Sequence, residues 1–289
     1  MAPRETEELC RAKLNLFLDV VGRRHDGYHE LVTVFHEIDL ADELVVRELA
    51  DADEPRTVRV RVTPGAADAS AVPADDANLA ARAARLLLEH AGHEGSVELL
   101  LTKNVPTGAG LGGGSADAAA TLRAVDRLFD LCTSEEDLER LAARIGSDVP
   151  FLLHGGTALG RGRGELLEPL PAAFGLRFLL LVPSFGVRTA DVYRALPRDL
   201  RPPVSPAALR RALESGDVAA LRDATHNALL DAALSVEPRL AQVLEHARHE
   251  LGPGVQLTGS GSTLFLPVED DALPDMGGWP FATRALLVT

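Results

Sequence analysis

The glycine-rich segment TKNVPTGAGLGGGSADAAATL, residues 102–122, contains the residue types and spacing that most clearly indicate chemistry. Glycine allows positive φ angles and lets a ligand approach the main chain closely, at a cost in conformational entropy. The alanine-rich run that follows predicts a helix, whose first backbone N–H groups lie at the positive end of the helix dipole. The segment therefore predicts an anion site suited to a polyphosphate.

Other glycine-rich loops fit this segment less well. The spacing G-x-G-x-x-G at Gly108, Gly110 and Gly113 occurs in dinucleotide-binding turns, but those need a second parallel strand with an acidic residue after the helix. Here the pattern predicts a second helix. A P-loop ends in Gly-Lys-Ser/Thr, and a protein-kinase loop lies between two strands, and neither pattern is present. A flexible loop without a ligand remains an alternative.

Two lysines stand out among the basic residues. Lys13 and Lys103 are the only lysines among the 29 basic residues, and the others are arginines. An ammonium is a compact charge with a tunable pKa, which a guanidinium does not provide. A functional role and a chance surface position are the two alternatives for Lys103, whereas the sequence neighbours of Lys13 favour a functional role.

The composition bounds the class of protein. With 289 residues, 46% hydrophobic and 25% charged, the chain is typical of a globular protein with one large domain or two ordinary ones. A net charge of −14 argues against a nucleic-acid partner. No apolar run is long enough to span a membrane, and the charged start lacks a signal-peptide core, which predicts a cytoplasmic protein. Cys10 and Cys132 are interpreted as structural thiols.

Alternating and helical hydrophobic patterns predict an α+β protein. Its strands and helices include strands at 12–21 and 31–40, joined at Asp26-Gly27, a helix at 79–90 and a strand that runs from 96 into the glycine loop. Ser115 is predicted to cap the helix after the loop, and Ser134 is predicted to cap the next, which ends at Gly146. We expect two domains, residues 1–153 and 154–289.

Four motifs in order resemble one family of small-molecule kinases. They are AKLNLFLDVVGRRHDGYHEL, PTGAGLGGGSADAAA, IGSDVPFLLHGGTALGRGRGE and LTGSGSTLF. They resemble the 4-diphosphocytidyl-2-C-methyl-D-erythritol kinase family, within the superfamily of galactokinase, homoserine kinase, mevalonate kinase and phosphomevalonate kinase. The resemblance implies an N-terminal domain like ribosomal S5 domain 2 and a C-terminal ferredoxin-like α/β sandwich. It also implies ATP-dependent phosphorylation of the 2-hydroxyl of the cytidylated methylerythritol in the non-mevalonate route to isoprenoids.

The resemblance also implies roles for individual residues. Lys13 and Asp148 form the catalytic pair, and a carboxylate at Asp148 is of a type that accepts a hydroxyl proton. Because Val149-Pro150 follows Asp148, the sequence predicts extended backbone there. The implied substrate-binding residues are Asn15, Tyr28, His29, Tyr193, Gly259 and Gly261. The implied ATP-binding residues are Pro106, Thr107, Gly108, Ala109, Gly110, Leu111, Gly112, Gly113, Gly114, Ser115 and Ala116.

Several points stay open at the level of sequence. Mg²⁺ is expected with ATP, and Ser115 is one candidate ligand, but the ligand set is unknown. The chain departs from the family pattern at Arg11, at Ala116 and in HNALLDAA, residues 226–233, none of which touches the catalytic pair. Another kinase of the superfamily and a nucleotide-binding module without catalysis are the alternative functions. The expected partner is a small molecule, and the chain is either a monomer or a homodimer.

Overall fold

The computed structural model describes residues 4–50, 52 and 54–289. These residues form two compact units that interleave along the chain. Unit 1 comprises the described residues up to Ala12, then Leu40–Thr107 and Gly112–Gly155, and unit 2 comprises Lys13–Asp39, Gly108–Leu111 and Gly156–Thr289. Two long strands, β1 (Glu5–Arg23) and β2 (His29–Glu48), contribute residues to both units. The division into residues 1–153 and 154–289 assumes contiguous domains and stays a prediction.

The strands of unit 1 form one sheet. Besides its parts of β1 and β2, it contains β3 (Val58–Pro64) and β4 (Val97–Lys103), in the order β3-β4-β2-β1. Strand β4 pairs in parallel with β3 and antiparallel with β2. Since β4 ends at Lys103, the glycine-rich loop follows directly after this strand.

The four helices of unit 1 follow from their caps and apolar faces. They are α1 (Leu79–His90), α2 (Gly113–Leu128), α3 (Glu135–Ile145) and α4 (Val149–His154). The predicted bounds of α1 are confirmed, with Asn78 Oδ1 accepting the N–H of Ala80 at 2.9 Å. The predicted cap of α3 is also confirmed, with Ser134 Oγ accepting the N–H of Asp137 at 3.2 Å. Buried alanines on α1 and α2 allow these two helices to pack closely.

The prediction that Ser115 caps α2 is wrong. The helix begins at Gly113, after Gly112 in a left-handed conformation with φ of 76°, so Ser115 lies inside the first turn. Three consecutive glycines tolerate backbone angles that other residues resist, and here the helix starts without a side-chain cap. The orphan N–H groups of the first turn are therefore not used by a capping side chain.

Strands of unit 2 belong to two sheets. In the first, β8 (His226–Asn227) pairs in parallel with β1, β5 (Thr157–Gly162) pairs antiparallel with β2, and β6 (Leu166–Pro169) extends beyond β5. The second sheet is antiparallel, in the order β11-β7-β10-β9. Its strands are β7 (Arg177–Val182), β9 (Gln256–Leu257), β10 (Leu264–Val268) and β11 (Arg284–Val288).

Unit 2 also contains helices, some of which pack against the second sheet. They are α5 (Thr189–Ala195), α6 (Ala207–Ser215), α7 (Val218–Ala224), α8 (Leu230–Val236) and α9 (Pro238–Leu251), and a 3₁₀ turn follows at Pro280–Ala282. Leu179 and Leu181 of β7 belong to the same buried cluster as Leu240 and Val243 of α9. On the other face, the ring of Phe178 lies 5.3 Å from that of His36 on β2. Strand β7 is thus packed on both faces.

Among the residues that the structure describes, no helix combines the length and the apolar composition needed to cross a bilayer.

Acidification is expected to destabilise the protein through His36. Its Nδ1 lies 2.7 Å from Thr157 Oγ1, and burial lowers the pKa of His36 from 6.5 to about 4. The folded state favours the neutral ring, so the contribution of His36 to the unfolding free energy is complete above pH 6.5. It is lost progressively as the pH falls from 6.5 through about 4, because the unfolded state takes up the proton first. Relative to the variant His36→Gln, the wild type should lose about 2 kcal/mol of unfolding free energy between pH 7 and pH 4.5.

Urea denaturation of both proteins at the two pH values measures this difference. All other titrating groups are shared, so they cancel in the comparison. An equal loss of unfolding free energy in His36→Gln would show that His36 is not the responsible group.

Candidate functional site

Lys13 lies on β1 and is buried in unit 2, with 3% of its surface exposed. Its Nζ donates hydrogen bonds to Asn15 Oδ1 at 2.6 Å and to the carbonyl oxygen of Gly110 at 2.8 Å. Residues two apart on a strand point to the same face, which brings Lys13 and Asn15 together. The ammonium is therefore held between a substrate-binding candidate and the glycine-rich loop.

Asn15 is fixed by a chain of hydrogen bonds. Its Nδ2 donates to Thr33 Oγ1 at 2.8 Å, and that hydroxyl donates to the carbonyl of Phe17 at 2.8 Å. Its backbone N–H donates to Thr258 Oγ1 at 2.9 Å. These bonds orient the amide so that Oδ1 faces Lys13. Sequence reasoning assigned no role to Thr33, which lies outside the four motifs, or to Thr258, which lies within LTGSGSTLF.

The loop segment Gly108–Leu111 is bound to unit 2 through all four of its carbonyl groups. Gly108 O accepts from Val187 N at 3.1 Å, Ala109 O from Thr263 N at 3.1 Å and Leu111 O from Lys13 N at 3.0 Å, in addition to the Lys13 bond at Gly110. Because C=O and N–H point in opposite directions across a trans peptide bond, the N–H groups of residues 109–112 face away from these partners. The segment thus presents amide donors.

Gly110 must be glycine for steric reasons. A Cβ at this position would lie 2.4 Å from the carbonyl oxygen of Thr258, and the φ angle of Gly110 is 79°. Both facts exclude a side chain. The distance is shorter than two non-bonded atoms can approach, and the positive φ angle favours glycine. The glycine-rich loop therefore contacts the turn at residues 258–261 directly.

The GSG turn, residues 259–261, joins β9 to β10 in unit 2. A Cβ on Gly259 would lie 3.4 Å from Lys13 Nζ and 3.2 Å from Asn15 Oδ1, so this turn lies beside the Lys13–Asn15 pair. Gly261 donates its N–H to the carbonyl of Thr258 at 3.0 Å. The structure thus brings Lys13, Asn15, Gly110 and Gly259 together.

Asn227 on β8 fixes the GSG turn by side-chain hydrogen bonds. Its Nδ2 donates to the carbonyls of Leu257 and Gly259, each at 2.8 Å, and its Oδ1 accepts the N–H of Leu229 at 2.9 Å. Sequence reasoning did not assign it a role. The usable signal was an asparagine next to the apolar residues of HNALLDAA. It supports the site without being one of the predicted binding residues.

Two of the three predicted ring residues come together. The rings of His29 and Tyr193 have centroids 5.2 Å apart and are tilted by 33°. Tyr28 is 53% exposed, and the guanidinium of Arg163 lies 4.8 Å from its ring centre. The structure therefore pairs Tyr193 with His29 and pairs Tyr28 with Arg163, which sequence reasoning missed.

The His29 ring is suited to polar recognition. Burial lowers the pKa of His29, and the positive charge of Arg23 lowers that pKa further, so the ring is neutral at neutral pH. Its Nε2 is buried and has no hydrogen-bond partner among the residues that the structure describes. A neutral imidazole nitrogen can either donate or accept, according to its tautomer.

In unit 1, the remaining loop residues lead into helix α2. Pro106 and Thr107 precede the bound segment, and the first turn of α2 contains Gly113, Gly114 and Ser115, with Ala116 buried behind them. Ser115 Oγ lies 3.9 Å from the position of a Cβ on Gly146, so its hydroxyl faces the connection between α3 and α4. A hydroxyl oxygen is a ligand type that Mg²⁺ accepts, which leaves Ser115 a chemically fitting candidate.

Asp148 lies in unit 1, immediately before α4. The prediction of extended backbone there is wrong, because Asp148 has φ of −86° and ψ of −15° and its carbonyl accepts the N–H of Leu152 at 3.1 Å. Proline is tolerated in the first turn of a helix, where its missing N–H costs nothing, so Pro150 fits as the second residue of α4. Asp148 thereby occupies a defined position at a helix start.

The chain is similar to known kinases over nearly all of its length. Two family models match, one described as GHMP kinases N terminal domain at residues 78–156 and one as GHMP kinases C terminal at residues 209–275. A 4-diphosphocytidyl-2-C-methyl-D-erythritol kinase from Nocardioides sp. is 44% identical over 257 residues, which are 87% of this chain and 84% of that protein. The enzyme of the same name from Shouchella clausii is 39% identical over 261 residues, covering 90% and 85%.

A solved structure is similar as well. The crystal structure of a 4-(cytidine 5'-diphospho)-2C-methyl-D-erythritol kinase matches with a TM-score of 0.76 and 38% identity, covering 98% of this chain and 99% of that one. The structure of Leishmania major mevalonate kinase in complex with R-mevalonate, at 17% identity and a TM-score of 0.73, shares the fold.

Proposed function

Because the chain belongs to the 4-diphosphocytidyl-2-C-methyl-D-erythritol kinase family, we propose that it phosphorylates the 2-hydroxyl group of 4-diphosphocytidyl-2-C-methyl-D-erythritol with ATP. The acceptor oxygen forms a bond to the γ-phosphorus, the bond to the bridging oxygen breaks, and ADP leaves. The reaction belongs to the non-mevalonate route to isoprenoid precursors.

The buried ammonium of Lys13 is the observation that carries this proposal. It is bound to Asn15 on one side and to Gly110 of the glycine-rich loop on the other. Phosphoryl transfer needs positive charge near the oxygens on which negative charge develops. A fixed cation between a candidate acceptor ligand and a candidate nucleotide loop supplies that charge.

Residues 106–116 are the proposed ATP-binding segment. Within unit 2 the carbonyls of residues 108–111 are all hydrogen-bonded, so the intervening N–H groups point away from those partners. At the start of α2 the first-turn N–H groups have no side-chain cap. Amide donors of both kinds suit a polyphosphate. Bound Mg²⁺ would neutralise charge on the phosphates, with Ser115 as its candidate protein ligand.

Asp148 is the proposed acceptor of the hydroxyl proton. A positioned carboxylate of this kind accelerates proton removal, although a loose phosphoryl-transfer transition state needs limited help of this type. Asn15 and the GSG turn, with Gly259 and Gly261, are proposed to bind the methylerythritol and diphosphate parts of the acceptor. The N–H of Gly261 is already donated to the carbonyl of Thr258, so Gly261 is proposed to contribute through the close approach of its backbone. The cytoplasmic location and the choice between monomer and homodimer stay predictions.

Tyr28, His29 and Tyr193 are proposed to select the cytosine ring. Stacking on an aromatic side chain combined with a polar contact to the base edge is a common way to recognise one exposed base. The unpartnered Nε2 of His29, next to the Tyr193 ring, supports this role within the described residues.

An ATP-dependent phosphorylation assay tests the proposed function. The purified protein is offered 4-diphosphocytidyl-2-C-methyl-D-erythritol, homoserine, mevalonate and galactose in parallel. We expect transfer to the cytidylated acceptor alone. Transfer to another acceptor would assign the chain to a different kinase activity, and no transfer to any acceptor would favour a nucleotide-binding module.

The substitution Tyr193→Ala is expected to raise KM for the cytidylated acceptor by roughly 10- to 100-fold, because stacking on a base contributes about 1–3 kcal/mol. The effect on kcat should be smaller, since stacking is similar in the ground and transition states. Steady-state kinetics with saturating ATP measure both constants. Tyr193→Phe keeps the ring and is the matched control. An unchanged KM in Tyr193→Ala would show that this residue does not select the cytosine ring.

A further inference from the structure

Unit 1 contains a buried group of charged side chains that the proposed chemistry does not use. Lys103 and Asp117 are each 2% exposed and Asp42 is fully buried. The alternative of a surface position for Lys103 is therefore wrong. Lys103 is the last residue of β4, Asp42 lies on β2, and Asp117 lies in the second turn of α2.

Lys103 bridges the two carboxylates. Its Nζ donates to Asp42 Oδ2 and, at 2.6 Å, to Asp117 Oδ2. One ammonium therefore joins the end of β4 to the start of α2. These two points are the ends of the connection, residues 104–112, that carries most of the proposed ATP-binding residues.

Asp42 also fixes the chain that leaves β4. Its Oδ1 accepts the backbone N–H groups of Asn104 at 2.5 Å and of Val105 at 2.8 Å. Val105 in turn packs against the start of the helix, since a Cβ on Gly113 would lie 3.0 Å from Val105 Cγ1. Asp42 thus fixes the first residues of the connection by hydrogen bonds. Asp117 belongs to the helix at its other end and ties that helix to Lys103.

The burial of these charges does not by itself make the cluster a source of stability. Replacing a buried ion network by well-packed apolar residues is often neutral or stabilising, because desolvation of the charges offsets their attraction. Burial raises the pKa of Asp117 to about 7, while the Lys103 ammonium opposes that rise. Asp117 Oδ1 has no hydrogen-bond partner within the part of the chain that the structure describes. The other oxygen, Oδ2, is the one that binds Lys103.

We propose that Asp42, Lys103 and Asp117 are positioning residues for the nucleotide, which hold the two ends of the ATP-binding connection at a fixed spacing. A connection whose ends are held loses less conformational entropy when it binds a ligand. The ligand class is a nucleoside di- or triphosphate, whose phosphates meet the amides at the start of α2. This inference rests on the proposed ATP-dependent function.

The substitution Asp117→Ala removes the bridge without touching a proposed ligand-binding atom. We expect it to raise the Kd for ADP, measured by calorimetry without any acceptor, and the KM for ATP, each by roughly tenfold. The KM for the acceptor and kcat should stay within about twofold of wild type. Hydrogen exchange of the amides at residues 104, 105, 107 and 112–116 should become faster.

Two variants serve as controls. Asp117→Asn keeps an oxygen that accepts from Lys103 and should restore nucleotide binding. Thr121→Val removes a buried hydrogen bond of the same helix, from Thr121 Oγ1 to the carbonyl of Asp117 at 2.7 Å, but leaves the bridge intact. It should lower the melting temperature without changing the Kd for ADP. Removal of Asp117 lowers stability under either role, because it takes one carboxylate from the buried Lys103 ammonium, but a purely structural role would leave the Kd for ADP unchanged.

Wild-type affinity for ADP in Asp117→Ala would overturn the proposal, as would an equal loss of affinity in Thr121→Val. If the alanine variant does not fold, Asp117→Ser, whose side chain is too short to reach Lys103, takes its place with the same expected result. A wild-type protein that binds ADP but phosphorylates none of the acceptors would contradict the proposed function alone. The inference about nucleotide positioning would still be decided by the ADP measurements.

Discussion

Asp148→Asn is expected to lower kcat by at least ~10²-fold while ATP and the cytidylated acceptor still bind nearly normally. The amide has nearly the shape of the carboxylate but cannot take the hydroxyl proton. The backbone of Asp148 is held by the hydrogen bond from Leu152 and by the start of α4, so the substitution should leave the local conformation intact. Single-turnover kinetics together with the Kd for each substrate separate the chemical step from binding.

The residue before Asp148, Ser147, provides a control for this experiment. Ser147→Ala changes the same connection between α3 and α4 without altering the carboxylate, and its kcat should stay close to that of wild type. If Asp148→Asn retained wild-type turnover, the proton would have to leave by another route. If both variants lost activity together, the conformation of the connection and not the carboxyl group would be responsible.

Local features of the fold were predictable because their causes are local. Helix α1 was predicted with its observed bounds from apolar residues at helical spacing that end before Gly92, and the Asn78 cap seen in the structure is a further local cause. The cap at Ser134 was predictable for the same reason. The start of α2 was not, because glycine permits a helix to begin without a capping side chain, so Ser115 was assigned a position that Gly112 occupies.

Features that depend on distant residues were not predictable in the same way. Asn227 binds the carbonyl of Gly259, and Lys103 binds Asp117 and Asp42, yet no periodic pattern connects these positions in the sequence. The interleaved units have a similar origin, since β1 and β2 are each long enough to contribute to both. Hydrophobic patterns locate strands but do not show where one long strand changes its packing partners.

The site was predicted chiefly by resemblance, and the family itself is confirmed by relatives about 40% identical over most of the chain. The α+β two-domain kinase fold is confirmed with it. Composition made Lys13 worth attention, but its contact with Gly110 joins residues 97 positions apart and emerges only in the structure. The roles of the individual site residues stay predictions, which substitutions at Asp148 and Lys13 test most directly.

Lys13→Met is expected to lower kcat/KM by ~10²- to 10³-fold, the range found when one electrostatic stabiliser of a transition state is removed. Methionine preserves most of the volume of the side chain but not its charge, so the packing beneath Phe35 changes little while the cation is lost. The same substitution leaves Asn15 Oδ1 and the carbonyl of Gly110 without this donor. Part of the loss should therefore appear in KM for both substrates, and most of it in kcat.

Thr33→Val separates the effect of the Lys13 charge from the effect of the position of Asn15. Thr33 accepts the hydrogen bond from Asn15 Nδ2, so its loss loosens Asn15 while the ammonium stays in place. We expect kcat/KM in Thr33→Val to fall less than tenfold, because the charge near the transferring phosphoryl group is retained. Lys13→Arg adds a second comparison, since a planar guanidinium keeps the charge but does not reproduce the two short bonds of an ammonium. If Lys13→Met were no worse than Thr33→Val, Lys13 would be a structural lysine, and the cation for phosphoryl transfer would have to be sought elsewhere in the chain or in the metal.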